Sequence, residues 1–307
     1  MPKIYAILLC VVSMINQSHA QEIFPLYQNK IPNSKDTKNA EETEQENGIT
    51  VVRKISVPTI RHFPAPTQVI SRTAVIIFPG GGYSTNSLSH EGHDIAKKFN
   101  EIGVSAFVVK YRLPDDETMI DKKIGPLQDA QQAIRIVREQ ADKFSIDPKR
   151  IGVVGFSAGG HLASTAGTHF KDVQIPNENK TSIRPDFMIL IYPVVSFDDD
   201  IGHRGSRDRL LGTTPEKSDI DLYSNELQVT AETPPSFLAH ASDDEVVVPA
   251  NSIRFYENLL RHKVPAELHI YQEGGHGFGL NNPKTRDEWF LSCKHWLETN
   301  GWLKRNK

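Results

Sequence analysis

Apolar and polar positions along the chain follow two rhythms. Short runs with almost no charge, Thr73–Phe78, Ser105–Tyr111, Ile151–Val154, Phe187–Tyr192, Ser236–His240 and Ala266–Tyr271, predict strands. Runs that are apolar at successive positions are buried on both faces, as in a parallel sheet. Ile49–Thr59 and Gln68–Ile70 predict earlier strands. Between the runs the apolar spacing is helical. Ala130, Ala133, Ile134, Val137 and Ala141 mark one helix, which Pro126 can open because proline is tolerated at the first helical position. Asp129 lies near that first turn, where a carboxylate suits the helix dipole and a structural role is expected. Further helices are predicted near 91–102, 250–262 and 284–298. The alternation implies an α/β chain with a mostly parallel central sheet and helices on both faces. Residues 193–233 are polar and irregular. That is too long for a plain connection and predicts a small inserted lobe after the sixth strand.

Composition changes this picture little. A chain of 307 residues with 38% hydrophobic content and a formal net charge of -3 is ordinary for a soluble globular protein. A near-neutral surface offers no electrostatic case for nucleic acid or anionic membrane. The first twenty residues differ. Lys3 gives a positive start, Ile4 to Ile15 is mostly apolar, and Ser18-His19-Ala20 places small residues before Gln21. This pattern predicts a signal peptide over 1–20, cut before Gln21, and export to the periplasm or beyond. The apolar run is too short to span a bilayer comfortably, so no integral membrane segment is expected in the mature chain. Leu9 before Cys10 disfavours lipidation. The mature chain would keep one cysteine, Cys293, so no internal disulfide is possible and a place in the core of the last helix is expected. Residues 21–48 are polar and read as an arm or linker, followed by a catalytic domain over 49–307.

The chemistry gathers around Gly155-Phe156-Ser157-Ala158-Gly159, a G-x-S-x-G pattern between a predicted strand and a predicted helix. A strand turning directly into a helix strains the turn residue and presents its side chain at the strand tip. Glycines on either side relieve the clash a Cβ would cause. The next N–H, that of Ala158, falls at a helix N-terminus, where unpaired donors and the dipole favour a negative oxygen.

A serine hydroxyl needs a base, and the base an orienting carboxylate. Gly274-Gly275-His276-Gly277-Phe278-Gly279 follows a strand and can carry His276 over Ser157. The acid is expected after the preceding strand, in Asp243-Asp244-Glu245. Asp243 is the first choice and Asp244 the alternative. The order Ser157, Asp243, His276 is that of α/β-hydrolases. Gly80-Gly81-Gly82 follows the Thr73–Phe78 run, and the N–H groups of Gly81 and Gly82 can join that of Ala158 in an oxyanion hole. Each such donor is worth on the order of 10²–10³ in rate. Tyr83 beside those glycines is expected to narrow the acyl side. The polar segment Asp198–Leu211 suits sugar hydroxyls better than an acyl chain, so small acyl groups are expected. No cofactor is expected. His90-Glu91-Gly92-His93 lacks the spacing of a zinc helix, and Gly80-Gly81-Gly82-Tyr83 lacks the lysine of a phosphate loop. Trp289, Trp296 and Trp302 suit packing on the sheet better than sugar stacking.

From about residue 50 to 300 the chain resembles bacterial α/β-hydrolase esterases related to acetyl xylan esterases and feruloyl esterases. The matching stretches are Phe78-Pro-Gly-Gly-Gly-Tyr83, His90-Glu-Gly92, Val109-Lys-Tyr-Arg-Leu-Pro114, Gly155-Phe-Ser-Ala-Gly-Gly-His161, Pro234-Pro-Ser-Phe-Leu-Ala-His240 and Gly275-His-Gly-Phe-Gly279. Pro79 stands where hormone-sensitive-lipase-like relatives carry histidine, which disfavours that subfamily. The resemblance implies a serine esterase acting on O-acetyl esters of plant polysaccharides or oligosaccharides, with a feruloyl or general carboxylesterase as the alternative. An exopeptidase of the prolyl oligopeptidase group would share the Asp-Asp-x-Val turn, but the chain has no room for a propeller domain. An inactive hydrolase serving as a binding protein would not need the triad candidates and the glycines.

Overall fold

The computed structural model describes residues 22–66, 71–286 and 288–303. The expected signal peptide, 1–20, and the expected strand Gln68–Ile70 lie outside them. In chain order the strands are β1 (Glu22–Pro25), β2 (Glu42–Glu46), β3 (Ile49–Arg53), β4 (Thr59–Phe63), β5 (Ala74–Phe78), β6 (Thr85–Ser87), β7 (Ser105–Lys110), β8 (Ile151–Phe156), β9 (Met188–Ile191), β10 (Ser236–Ala241) and β11 (Ala266–Tyr271). Eight form one sheet in the order β1-β4-β7-β5-β8-β9-β10-β11, and β2-β3-β6 form a second. From β7 to β11 the neighbours of the large sheet run parallel, while β1 and β4 join antiparallel at its edge.

The helices are α1 (Asp94–Glu101), α2 (Gly125–Glu139), α3 (Ser157–Thr168), α4 (Arg204–Leu211), α5 (Lys217–Leu222), α6 (Ala250–Arg261) and α7 (Trp289–Thr299). Successive residues of β5 enter opposite cores. Ala74, Ile76 and Phe78 join the cluster under α2, α3 and α6, and Val75 and Ile77 the one under α1 and α7. Double coverage explains why this strand is apolar at every position. Trp289, Trp296 and Cys293 of α7 are buried in the second cluster, as core packing requires.

Two expectations change, and the structural role expected of Asp129 gains a partner. The polar arm is built into the fold: β1 extends the large sheet and β2 the small one. The expected strand Ile49–Thr59 is two strands, β3 and β4, separated by a turn in which Lys54 has φ 52°. Asp129 meets an arginine and not only a helix dipole. It and Arg112 are fully buried and joined at 2.8 Å. The Tyr27 hydroxyl donates to Asp129 at 3.0 Å, and Arg112 donates to the Pro32 carbonyl at 2.8 Å. A buried charge pair survives only when such further hydrogen bonds complete it. The arm supplies them and is anchored in return. The expected lobe follows β9 and contains α4, α5 and a 3₁₀ turn at Asn225–Gln228.

Candidate active site

Ser157 starts α3 directly after β8, with φ 50°, the left-handed region that an L-residue avoids. That conformation costs on the order of 1–3 kcal/mol. The surroundings hold it there. A Cβ on Gly155 would stand 2.2 Å from the Gly159 carbonyl oxygen, and one on Gly159 would stand 2.1 Å from that of Phe78. Larger residues would push the elbow apart. Ser157 is only 6% exposed, so it lies at the floor of the site, not on an open tip.

His276 Nε2 lies 2.9 Å from Ser157 Oγ, and its Nδ1 lies 2.7 Å from Asp244 Oδ2. The carboxylate can only accept, so Nδ1–H donates to it. Nε2 is left unprotonated, facing the serine hydroxyl. The loop reaches this position through left-handed Gly275 (φ 64°) and Gly277 (φ 77°).

The acid on His276 is therefore Asp244, and the first choice, Asp243, is displaced. Asp243 is exposed and accepts a hydrogen bond from the Gly275 N–H at 2.7 Å. Asp244 is 3% exposed. Its Oδ1 accepts from the N–H groups of Val246 (3.0 Å) and Val247 (2.9 Å), and its Oδ2 also accepts from His240 Nε2 (3.1 Å). Burial alone would raise its pKa. The hydrogen bonds from His240 and His276, the charge of His276 and the Val247 N–H outweigh burial and hold the carboxyl well below the usual range. The signal available in the sequence was His240, a histidine ending an otherwise apolar strand four residues before Asp244.

Gly80–Gly82 leaves β5 beside the elbow. A Cβ on Gly80 would stand 2.9 Å from that of Ser157. Gly81 has φ 132°, and its carbonyl closes a turn by accepting from the N–H groups of Ser84 (2.9 Å) and Thr85 (3.0 Å). The structure thus brings Gly81, Gly82 and the Ala158 N–H to the same end of the sheet as Ser157. Tyr83 lines a cavity beside the oxyanion glycines with little of its surface free. It is 2% exposed, and its hydroxyl is engaged with His161 Nδ1 at 2.9 Å. His161 is itself held by the Tyr223 carbonyl at 2.9 Å, and burial lowers its pKa to about 3. It serves the scaffold as a neutral ring.

Sequence reasoning passed over two groups that tie these loops together. Glu91, 4% exposed, sits in a π-helical turn, Ser89–His93. Its carboxylate accepts from the Gly80 N–H at 2.8 Å and from the Tyr192 hydroxyl at 2.7 Å. The same hydroxyl accepts from the Gly279 N–H at 2.9 Å, and His90 donates to the Gly277 carbonyl at 2.9 Å. One short turn therefore fixes both the glycine loop and the histidine loop. Glu91→Ala should lower kcat at least tenfold with a smaller change in KM, because each buried donor left unpaired costs about 1–3 kcal/mol. Steady-state kinetics beside a thermal melt checks this, and wild-type kcat in a folded variant would refute it.

The lobe contributes one further histidine, His203. His203 caps α4 by accepting from the Ser206 N–H at 3.3 Å. Burial and then the charge of nearby His276 lower its pKa.

The chain has counterparts among known proteins. The BD-FAE family model matches residues 62–259. An acetylxylan esterase of Xylanibacter ruminicola is 38% identical over 234 residues, 75% of this chain and 46% of that protein. Endo-1,4-beta-xylanase B of Butyrivibrio fibrisolvens is 35% identical over 223 residues, 72% of this chain and 34% of that protein. The chain spans half the length or less of these two relatives. A crystal structure of an acetyl ester-xyloside bifunctional hydrolase from Caldicellulosiruptor lactoaceticus superposes with a TM-score of 0.78 at 38% identity, covering 92% of this chain and 97% of that one.

Proposed function

The chain belongs to the BD-FAE family of α/β-hydrolases, and from that premise we propose that it is a serine esterase removing acetyl groups from carbohydrate. The observation that carries this is the continuous hydrogen-bonded series Asp244–His276–Ser157. His276 Nε2 takes the hydroxyl proton as Ser157 Oγ attacks the ester carbonyl. Asp244 holds the imidazole and stabilises its charged form. The N–H groups of Gly81, Gly82 and Ala158 receive the tetrahedral oxyanion. His276 returns the proton to the leaving alcohol, and an acyl-enzyme remains on Ser157. Water, deprotonated by the same ring, attacks that acyl group and releases the acid.

The carbohydrate substrate is supported by the relatives, and the acetyl preference by the lobe. The lobe segment Asp198–Leu211 is rich in charged and polar side chains, which suit hydroxyls better than an acyl chain. In an open apolar channel each added methylene would gain roughly 0.8 kcal/mol. Here kcat/KM for 4-nitrophenyl esters should fall steeply beyond propionate or butyrate, and acetylated xylo-oligosaccharides should release acetate. A rise toward octanoate would overturn the acetyl-esterase reading.

A further inference from the structure

We infer that a cavity beyond the oxyanion loop binds the saccharide part of the ester, an inference that rests on the esterase reading above. The cavity holds about 230 Å³. It begins at Ser84, two residues after Gly82, and the loop that carries both touches Ser157. Leu113 and Asp115, on the segment after β7, form a second wall. The arm and the turn after β3 supply a third, with Lys38 and Ile55, and Arg209 of α4 reaches it from the lobe. Five separate parts of the chain thus converge beside the loop that carries Gly81 and Gly82.

The lining fits a sugar better than an acyl chain or an anion. Ile55 and Leu113 are buried and offer an apolar floor, whereas Lys38, Asp115 and Arg209 stand at the rim. A pyranose has the same division: C–H groups on its faces, hydroxyls around its edge. Charges of both signs donate to and accept from hydroxyls, and they would not concentrate on a single anion. The volume is below the roughly 300–1,000 Å³ of pockets for larger ligands, which suits one sugar ring. The arm wall is fixed in place, because Tyr27 and Pro32 are bonded to the buried Arg112–Asp129 pair. Ordering of the arm thereby acquires a use: it completes the leaving-group side of the site.

The test compares two substrates that share the acetyl group and differ in the alcohol. Arg209→Ala removes a rim donor, and Ala40→Trp places a large ring in the cavity from the exposed arm. On acetylated xylo-oligosaccharides each variant should lose at least tenfold in kcat/KM, mostly through KM, about the effect of one charged hydrogen bond. On 4-nitrophenyl acetate both should stay within about twofold of wild type, since the reacting groups are untouched. Equal losses on both substrates, or no loss on the oligosaccharide, would refute the subsite. So would a loss that grows with acyl length across the nitrophenyl series, which would make the cavity an acyl site. If the wild-type protein hydrolyses 4-nitrophenyl acetate but frees no acetate from the oligosaccharide, the carbohydrate reading itself fails, and that is seen before any variant is made.

Discussion

Ser157→Ala should lower ester turnover by roughly 10⁶-fold, the scale seen when the nucleophile of a serine triad is removed. The side chain is small and its hydroxyl bonds to His276, so the variant loses the attacking oxygen and little packing. The strained backbone at φ 50° is set by Gly155, Gly159 and their close contacts, which remain. Folding should therefore be preserved, with a melting temperature close to that of the wild type. A residual rate above the uncatalysed one is expected, because the backbone donors at Gly81, Gly82 and Ala158 stay in place. A fluorophosphonate probe should label the wild-type protein and leave the variant unlabelled. Retention of more than about a tenth of the activity would remove Ser157 from the mechanism.

Asp244→Asn should lower kcat by about 10⁴-fold, while Asp243→Asn should lose less than about tenfold. The carboxylate of Asp244 sets which ring nitrogen of His276 holds the proton. An amide there can turn its NH₂ toward the ring, and the imidazole then presents a protonated Nε2 to Ser157, where it cannot act as base. Asp243 makes its bond to the Gly275 N–H, and an asparagine oxygen can accept that bond as well. The two acids differ in what they touch, not in chemistry. Rates for both variants on 4-nitrophenyl acetate decide the matter, and a larger loss at Asp243 would refute the Asp244 assignment.

Much of the fold was legible because burial on both faces leaves a simple mark. β5, β7, β8, β9 and β10 are almost uncharged runs, and the sheet they form is parallel. β1 and β2 left no such mark. Glu22–Pro25 is largely exposed on its edge, and Glu42–Glu46 is exposed throughout. Their pairing comes from backbone hydrogen bonds and from tertiary anchors such as Tyr27 on Asp129. A polar strand at a sheet edge and a polar linker share one composition.

Ser157 and His276 were determined by the sequence alone, because their chemistry needs glycines at set distances and those glycines leave a local pattern. The position of the glycine loop after β5 was determined in the same way, by chain order. The choice between Asp243 and Asp244 belonged to the tertiary structure. Adjacent residues leave a turn in different directions, and only the packed fold shows that the second carboxyl turns inward to His240 and His276. The bond of the Tyr83 hydroxyl to His161 has the same origin, since the two lie 78 positions apart. Glu91 and Tyr192 were likewise out of reach, their hydrogen bond spanning 101 positions. A buried polar group must find its partner wherever the fold puts one, and no local spacing records that address.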